Sequence, residues 1–436
     1  MQKVAKFGGS SVANASQIRK IKSILEADTS REILVTSAIG KDKAHESKLT
    51  DLLYLLYAHI EYGIDYNHIL KTITDRFLDI KNDLSLSYDI EKEIENLKKE
   101  LTKDISKDYL VSRGEYFTAK LLEEYLGYQF VDAKDIIMLH YDGTVDYETT
   151  ETQLKNVLKK HKKIIVPGFY AKTPNDKIRL FSRGGSDITG SILAKVSKAD
   201  LYENWTDVDG IYAADPKLVD NPKLIHSITY SELRELSYRG ANVLNQETIL
   251  PLANMGIPLK IKNTFNPESS GTLISDKFAE ANELLTGISG LKNFTSFNIT
   301  KDSSKQLILV LKNVLNLFIR YKINIEHIPT GIDTFSMIVK TEDIKDYYFD
   351  LINEVREIEG VIDLSLEDDI ALVAIVSRNM THIPGVAGRI FTTLGNHNIN
   401  IKIIAQASTE ISIIIGVSNV DYEKAIKVVY KEFYKD

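Results

Sequence analysis

Up to about residue 275, apolar positions fall into two alternating rhythms: short runs of strand length over 32–38, 163–168 and 257–261, and longer stretches with helical spacing. This alternation predicts an α/β fold around a largely parallel sheet. The chain opens on it, with Val4 and Phe7 marking a short strand and Ile18, Ile21, Ile24 and Leu25 the helix that follows. Over 89–110, Ile90, Ile94, Leu97, Leu101 and Ile105 form one stripe among many charges. That spacing predicts a single amphipathic helix with a solvated charged face. The softer segment 263–282, with Pro267-Glu268-Ser269-Ser270-Gly271, is expected to be a linker.

Beyond the linker the pattern repeats. A shift of 76 residues places Ile323-Asn324-Ile325 on Ile399-Asn400-Ile401, Val314 on Ile390, and Phe335-Ser336-Met337-Ile338 on Ile411-Ser412-Ile413-Ile414. Both copies read strand, helix, strand, strand, helix. After its second helix the first copy continues into Val361-Ile362-Asp363-Leu364-Ser365-Leu366, a fourth strand, whereas the second copy ends on its last helix. A sheet with an unfilled position exposes a pairing edge. The segment 286–293 is therefore expected to fill it, interlocking the two copies.

Composition narrows the function classes. A net charge of −7 argues against general nucleic-acid binding, which rests on accumulated Lys and Arg. With no cysteine, disulfides, thiolate metal sites and cysteine nucleophiles are excluded. The N-terminal residues lack a signal-peptide pattern and the apolar runs are strand-sized, so no membrane association is expected and a cytoplasmic location is. The nine histidines form no H-x-x-x-H pair, and no resident metal is expected.

Two glycine signatures carry chemistry: Lys6-Phe7-Gly8-Gly9-Ser10-Ser11 and Ser182-Arg183-Gly184-Gly185-Ser186-Asp187. Paired glycines at a strand-to-helix turn let backbone N–H groups approach a phosphate oxygen, and a helix N-terminus adds favourable partial charge. Lys6 would add a full positive charge there, although a lysine at a strand end is by default exposed. Arg183 has the fork that holds a carboxylate bidentately. Taken alone, Asp187 suits a helix N-cap, and Thr50 in Lys48-Leu49-Thr50-Asp51 the cap of the helix that begins there. Neither the G-x-x-x-x-G-K-[ST] loop nor G-x-G-x-x-G is present. Asp207-Val208-Asp209-Gly210 lacks the spacing of a calcium loop.

Together with Asn204-Trp205-Thr206-Asp207-Val208-Asp209-Gly210-Ile211-Tyr212 and its continuation to Lys217, these signatures resemble the aspartokinases of the amino acid kinase family over nearly the whole chain. The resemblance implies a kinase domain over 1–275 and two ferredoxin-like ACT domains, over 294–367 and 368–436. It implies transfer of the ATP γ-phosphoryl group to the β-carboxylate of L-aspartate, with Mg²⁺ carried by the nucleotide. In this picture Lys6 stabilises the transferring group, which Gly8, Gly9 and Ser10 hold, and Asp187 orients Lys6 or the substrate. Arg183 takes the α-carboxylate of aspartate, Glu115 in Ser112-Arg113-Gly114-Glu115 faces its ammonium, and Thr50 is on the substrate side. Thr206, Asp207, Tyr212 and Lys217 meet the nucleotide. Where the family often carries Lys before Val-Leu-His, this chain has Asn242-Val243-Leu244-Asn245, so a charge is missing there.

In the second copy, Pro384-Gly385-Val386-Ala387-Gly388 is similar to the ligand-binding turn of an ACT domain, a turn that the first copy lacks. The stretch from Asn324 to Asp333 lies where lysine-inhibited relatives bind their effector. Glu326 offers a carboxylate to an amine, or is simply a surface strand residue; Thr330 and the amide of Gly331 offer polar contacts. The implied protein is a homodimer or dimer of dimers, inhibited by lysine, and without an appended homoserine dehydrogenase. The alternatives are a kinase of the same superfamily acting on glutamate, N-acetylglutamate or UMP, and a catalytically silent amino-acid sensor.

Overall fold

The computed structural model describes residues 1–182, 184–240, 244, 246–277, 284–380, 383–406 and 411–434. Two compact units divide the chain. One comprises Met1–Ile211, Leu224–Tyr230 and Val243–Phe278, the other Tyr212–Lys223, Ser231–Asn242 and Ala279–Asp436.

The first unit carries eight strands in one sheet and a separate hairpin. In chain order they are β1 (Lys3–Phe7), β2 (Arg31–Thr36), β3 (Gln129–Phe130), β4 (Ile164–Pro167), the hairpin β5 (Tyr170–Lys172) and β6 (Ile178–Leu180), β7 (Leu201–Thr206), β8 (Ser227–Ile228), β9 (Leu259–Asn263) and β10 (Thr272–Ile274). The sheet runs β3-β4-β2-β1-β7-β9-β10-β8, and every pairing is parallel except β9 with β10. Residues of β1, β2 and β4 are buried almost throughout, as strands covered on both faces must be. From β1 the chain builds outward through β2 on one side and later through β7 on the other. The carboxyl end of β1 is thus a topological switch point, where open α/β sheets bind ligands.

Helices α1 (Ala15–Ala27), α2 (Leu49–Tyr62), α3 (Asn67–Leu84), α4 (Ile90–Glu100) and α5 (Lys107–Leu126) precede β3. The shorter α6 (Ala133–Ile136) and α7 (Tyr147–Leu158) follow it, and α8 (Gly185–Ser197) leads into β7. The single helix expected over 89–110 is instead broken. Ile94 and Leu97 lie on α4, Leu101 ends it, and Ser106 caps α5 by accepting from the Tyr109 N–H. Leu101 and Ile105 remain buried with the stripe, so burial kept the helical spacing through a turn that the cap required. The expected linker is likewise partly sheet: Gly271, at φ +70°, turns the chain into β10, which pairs with β9 and β8.

The second unit holds a six-stranded antiparallel sheet of β11 (Gly287–Lys301), β12 (Ile325–His327), β13 (Thr334–Lys340), β14 (Val361–Val376), β15 (Ile403–Ala405) and β16 (Ser412–Ser418). Its order is β12-β13-β11-β14-β16-β15. The two long strands each serve both copies. Phe294–Thr300 of β11 pairs with β13 and with the first half of β14, while Gly287–Leu291 pairs with Leu372–Val376, which in turn pair with β16. In the strand order Gly287–Leu291 thus lies beside Leu372–Val376, on the side opposite β16. Residues 231–238 of α9 (Tyr230–Tyr238) belong to this unit, and α10 (Gln246–Ala253) to the first; the copies contribute α11 (Leu307–Arg320), α12 (Thr341–Ile344), α13 (Tyr348–Glu357), α14 (Val386–Asn396) and α15 (Tyr422–Phe433).

Candidate active site

A cleft of about 1120 Å³ opens at the carboxyl ends of β1, β2, β4 and β7. The chain leaves β1 at Phe7, and the Gly8 N–H donates to the Trp205 carbonyl of β7, at 3.0 Å. A 3₁₀ turn follows at once over Gly9–Val12, and no side chain caps it. Gly9 is packed against the stretch that leaves β2. The Gly40 N–H donates to the Gly9 carbonyl at 2.9 Å, and a Cβ on Gly40 would overlap the Gly9 backbone. Gly8, Gly9, Ser10 and Gly40 all line the cleft. The expected phosphate turn is thus a double glycine contact between two strand ends, of which Gly40 was not foreseen.

Lys6 is buried, not exposed at its strand end. Its Nζ lies 2.6 Å from Asp187 Oδ1 and donates to Asn204 Oδ1 at 3.4 Å. Asn204 stands beside Lys6 in the β1–β7 register, and its Nδ2 donates to Asp187 Oδ1 at 3.0 Å. Asn204 escaped the sequence reading as a site residue. No local signal marked it: Asn204 and its polar neighbour Glu203 are both buried in β7. Asp187 is not an N-cap: the N-cap of α8 is Gly184, at φ +81°, with no side-chain cap, which leaves the first turn of the helix open at the cleft. Asp187 lies in that turn with its carboxylate committed to Lys6 and Asn204.

Thr50 also lines the cleft and is not a cap, since Lys48 is the N-cap residue of α2 and no side chain caps that helix. Glu115 projects from α5 into the same cleft and is 4% exposed. Burial pushes its pKa up to about 8, partly offset by the hydrogen bond its carboxylate accepts from the Ala38 N–H. Its Oε2 has no hydrogen-bond partner among the described residues. A buried carboxyl oxygen without a partner, facing a cleft, is a position where a ligand can supply one.

Thr206 and Asp207 line the cleft at the end of β7, with Thr206 Oγ1 donating to Asp207 Oδ1 at 3.2 Å. Tyr212 and Lys217 belong to the second unit. Arg183 and Asn242 lie outside the described residues. The lining also includes Lys41, Lys48, Tyr54, Phe169 and Phe181, none singled out from the sequence. Phe169 sits at φ +79°, a strained conformation for an aromatic residue, and a Cβ on Gly185 would overlap its ring.

In the second unit the expected effector residues are already engaged. Glu326 is not a surface residue; its side chain is 5% exposed, 3.7 Å from Lys340 Nζ and 4.0 Å from Arg239 Nη1. Gly331 has no free amide to offer, because its N–H donates to the Thr334 carbonyl at 2.7 Å and closes the turn between β12 and β13. Thr330 stands exposed beside it.

Residues 1–263 match the model of the amino acid kinase family, and 373–433 match an ACT domain. Aspartokinase 3 of Bacillus subtilis is 33% identical over 447 residues, covering 99% of this chain and 98% of the relative. Among solved structures, the aspartate kinase of Clostridium acetobutylicum is 40% identical, with a TM-score of 0.91 and 99% of both chains covered. Aspartokinase III of E. coli, solved with aspartate and ADP, shares the fold at 24% identity and a TM-score of 0.78 over the whole of both chains. The chain belongs to the amino acid kinase family and is an aspartokinase within it.

Proposed function

We propose that this chain transfers the γ-phosphoryl group of ATP to the β-carboxylate of L-aspartate, giving ADP and 4-phospho-L-aspartate. The observation that carries this reading is one cleft holding both a buried lysine clamped beside a glycine turn and a buried, half-satisfied carboxyl group. A carboxylate oxygen forms the new bond to phosphorus, and the bond to the β–γ bridging oxygen breaks, its electron pair leaving on ADP. The acceptor has no proton to remove, so no general base is needed.

The obstacle is charge, and positioning with charge cancellation is what such a site supplies. Lys6, held by Asp187 and Asn204, would meet the transferring group, while the N–H groups at Gly9 and Ser10 and at the start of α8 would take phosphate oxygens. Lys41 and Lys48 add positive potential to the cleft. Mg²⁺ would arrive with the nucleotide, neutralise phosphate charge and keep most of its ligands as phosphate oxygens and water; the Ser10, Asp187 and Asp207 oxygens lining the cleft suit such a hard cation. Glu115 would ionise against the α-ammonium of aspartate, Thr50 would contact the same substrate, and Arg183 is assigned its α-carboxylate. Thr206 and Asp207 would meet base and ribose.

The proposal extends to a kinase domain over 1–275, ACT domains over 294–367 and 368–436 completed by 286–293, a cytoplasmic dimer or dimer of dimers, and lysine as the effector at Glu326 and Thr330. Coupled measurement of ADP formation with aspartate, glutamate, N-acetylglutamate and UMP tests the reaction. Turnover is expected with aspartate alone. Turnover with another acceptor in its place would reassign the substrate, and no turnover with any would favour a silent sensor.

A further inference from the structure

Helix α3 carries a charged residue on its buried stripe: Arg76 stands among Ile73, Phe77 and Ile80 and is 2% exposed. A buried guanidinium is costly unless it is hydrogen-bonded. Here Nη2 donates to the Gly40 carbonyl and Nη1 to the Ser47 carbonyl, at 2.7 Å. These are the two ends of the segment joining β2 to α2. The segment is two-faced. Gly40, Lys41 and Lys48 line the cleft, while Asp42, His45 and Arg76 itself line a separate pocket of about 330 Å³ behind it.

The segment has little regular structure of its own to hold it. Within it, the Asp42 carboxylate accepts from the backbone N–H groups of Ala44 and His45 and from Asn14 Nδ2; its flanks are joined by the Leu49 N–H donating to the Ile39 carbonyl, and the Arg76 fork adds a side-chain bridge between Gly40 and Ser47. Gly40 is in turn the backing of Gly9, through a hydrogen bond and an approach that no side chain could share. A guanidinium bridging two carbonyls seven residues apart is a positional constraint that a point charge cannot reproduce.

We propose that Arg76 is a positioning residue for phosphoryl transfer, pinning both ends of the Gly40–Ser47 segment so that Gly40 keeps the Gly9 turn shaped for phosphate and Lys41 and Lys48 stay at the cleft. It touches neither substrate. The inference rests on the kinase reading of the cleft, and wild-type turnover with ATP and aspartate is the control that separates the two.

The test is the steady-state kinetics of Arg76→Lys and Arg76→Ala, with melting temperatures measured with and without Mg-ADP. Arg76→Lys keeps the charge but loses the planar two-nitrogen fork that reaches both carbonyls in fixed geometry. It is expected to lower kcat at least tenfold, change the aspartate KM less than threefold, and reduce the rise in melting temperature on adding Mg-ADP. Arg76→Ala is expected to lower kcat further. A residue that merely stabilised the fold would lower the melting temperature of the free protein and leave kcat and the nucleotide-induced rise intact. Wild-type kcat in Arg76→Lys, or in a folded Arg76→Ala, overturns the proposal. If Arg76→Ala does not fold, the lysine variant alone decides.

Discussion

At the scale of single residues, the site is a matter of where charge is buried. Lys6 is buried with the Asp187 carboxylate 2.6 Å and the Asn204 amide oxygen 3.4 Å from its Nζ. Lys6→Ala should lower kcat by about 10²-fold or more while changing the aspartate KM less than threefold, since the lost interaction is strongest in the transition state. Steady-state kinetics check this, and near-normal turnover would remove Lys6 from the mechanism. Glu115 is the opposite case, a carboxyl group that burial keeps protonated up to about pH 8 in the free enzyme. Because its ionised form is the one that pairs with an ammonium, the aspartate KM should fall as pH rises toward 8, by up to tenfold per unit. Glu115→Gln should raise KM and abolish that slope. The same linkage acts on stability: with the folded pKa raised above the ordinary glutamate value, the contribution is fully present below that value and is lost as pH rises through about 8. The melting temperature of Glu115→Gln should therefore depend less on pH between 5 and 8 than that of the wild type.

At the scale of elements, close backbone approaches decide what each turn and strand can do. Gly290, within β11, lets the strand pass where a Cβ would meet the Leu372 carbonyl at 2.6 Å and the Tyr422 ring at 2.7 Å. Gly290→Val should push β11 off β14 and α15, lowering the melting temperature by several degrees through a cost of about 2 kcal/mol. Hydrogen exchange should quicken over 370–376 and 412–418 and stay unchanged over 334–340, which pairs with the other half of β11. Uniform quickening across both copies would mean that they do not depend on the shared strand in this way. The amphipathic stripe over 89–110 illustrates the limit of periodicity: its burial was legible, but Leu101 ends one helix and Ser106 starts another within it.

At the scale of the whole molecule, function depends on whether a ligand in the second unit changes the rate in the first. Inhibition needs only a differential affinity between two global states on the order of 1–3 kcal/mol. Glu326 is already ringed by Arg239 and Lys340, so an incoming amine would compete with, or add to, an existing ion-pair cluster. Lysine at millimolar concentration should inhibit the wild type in the ADP-formation assay. Glu326→Ala should relieve that inhibition with uninhibited kcat within about twofold. A wild-type rate unchanged by lysine, or complete inhibition by threonine alone, would reassign the effector and leave the kinase reaction standing.

The sequence by itself determined the fold class, the internal repeat and the two glycine signatures, because alternating periodicities and backbone-permissive residues are local properties written at fixed spacings. It also carried the need for a completing strand, since the second copy was one strand short. Only the tertiary structure decided the roles of residues with two local readings. Asp187 and Thr50 each had the composition of a cap, and the register of β1 with β7, together with the N-caps at Gly184 and Lys48, made them cleft residues instead. Asn204, Gly40 and Arg76 were silent in one dimension for the same reason. Their partners lie 198, 31 and 36 residues away, and no spacing rule reaches across a fold to a neighbouring strand end.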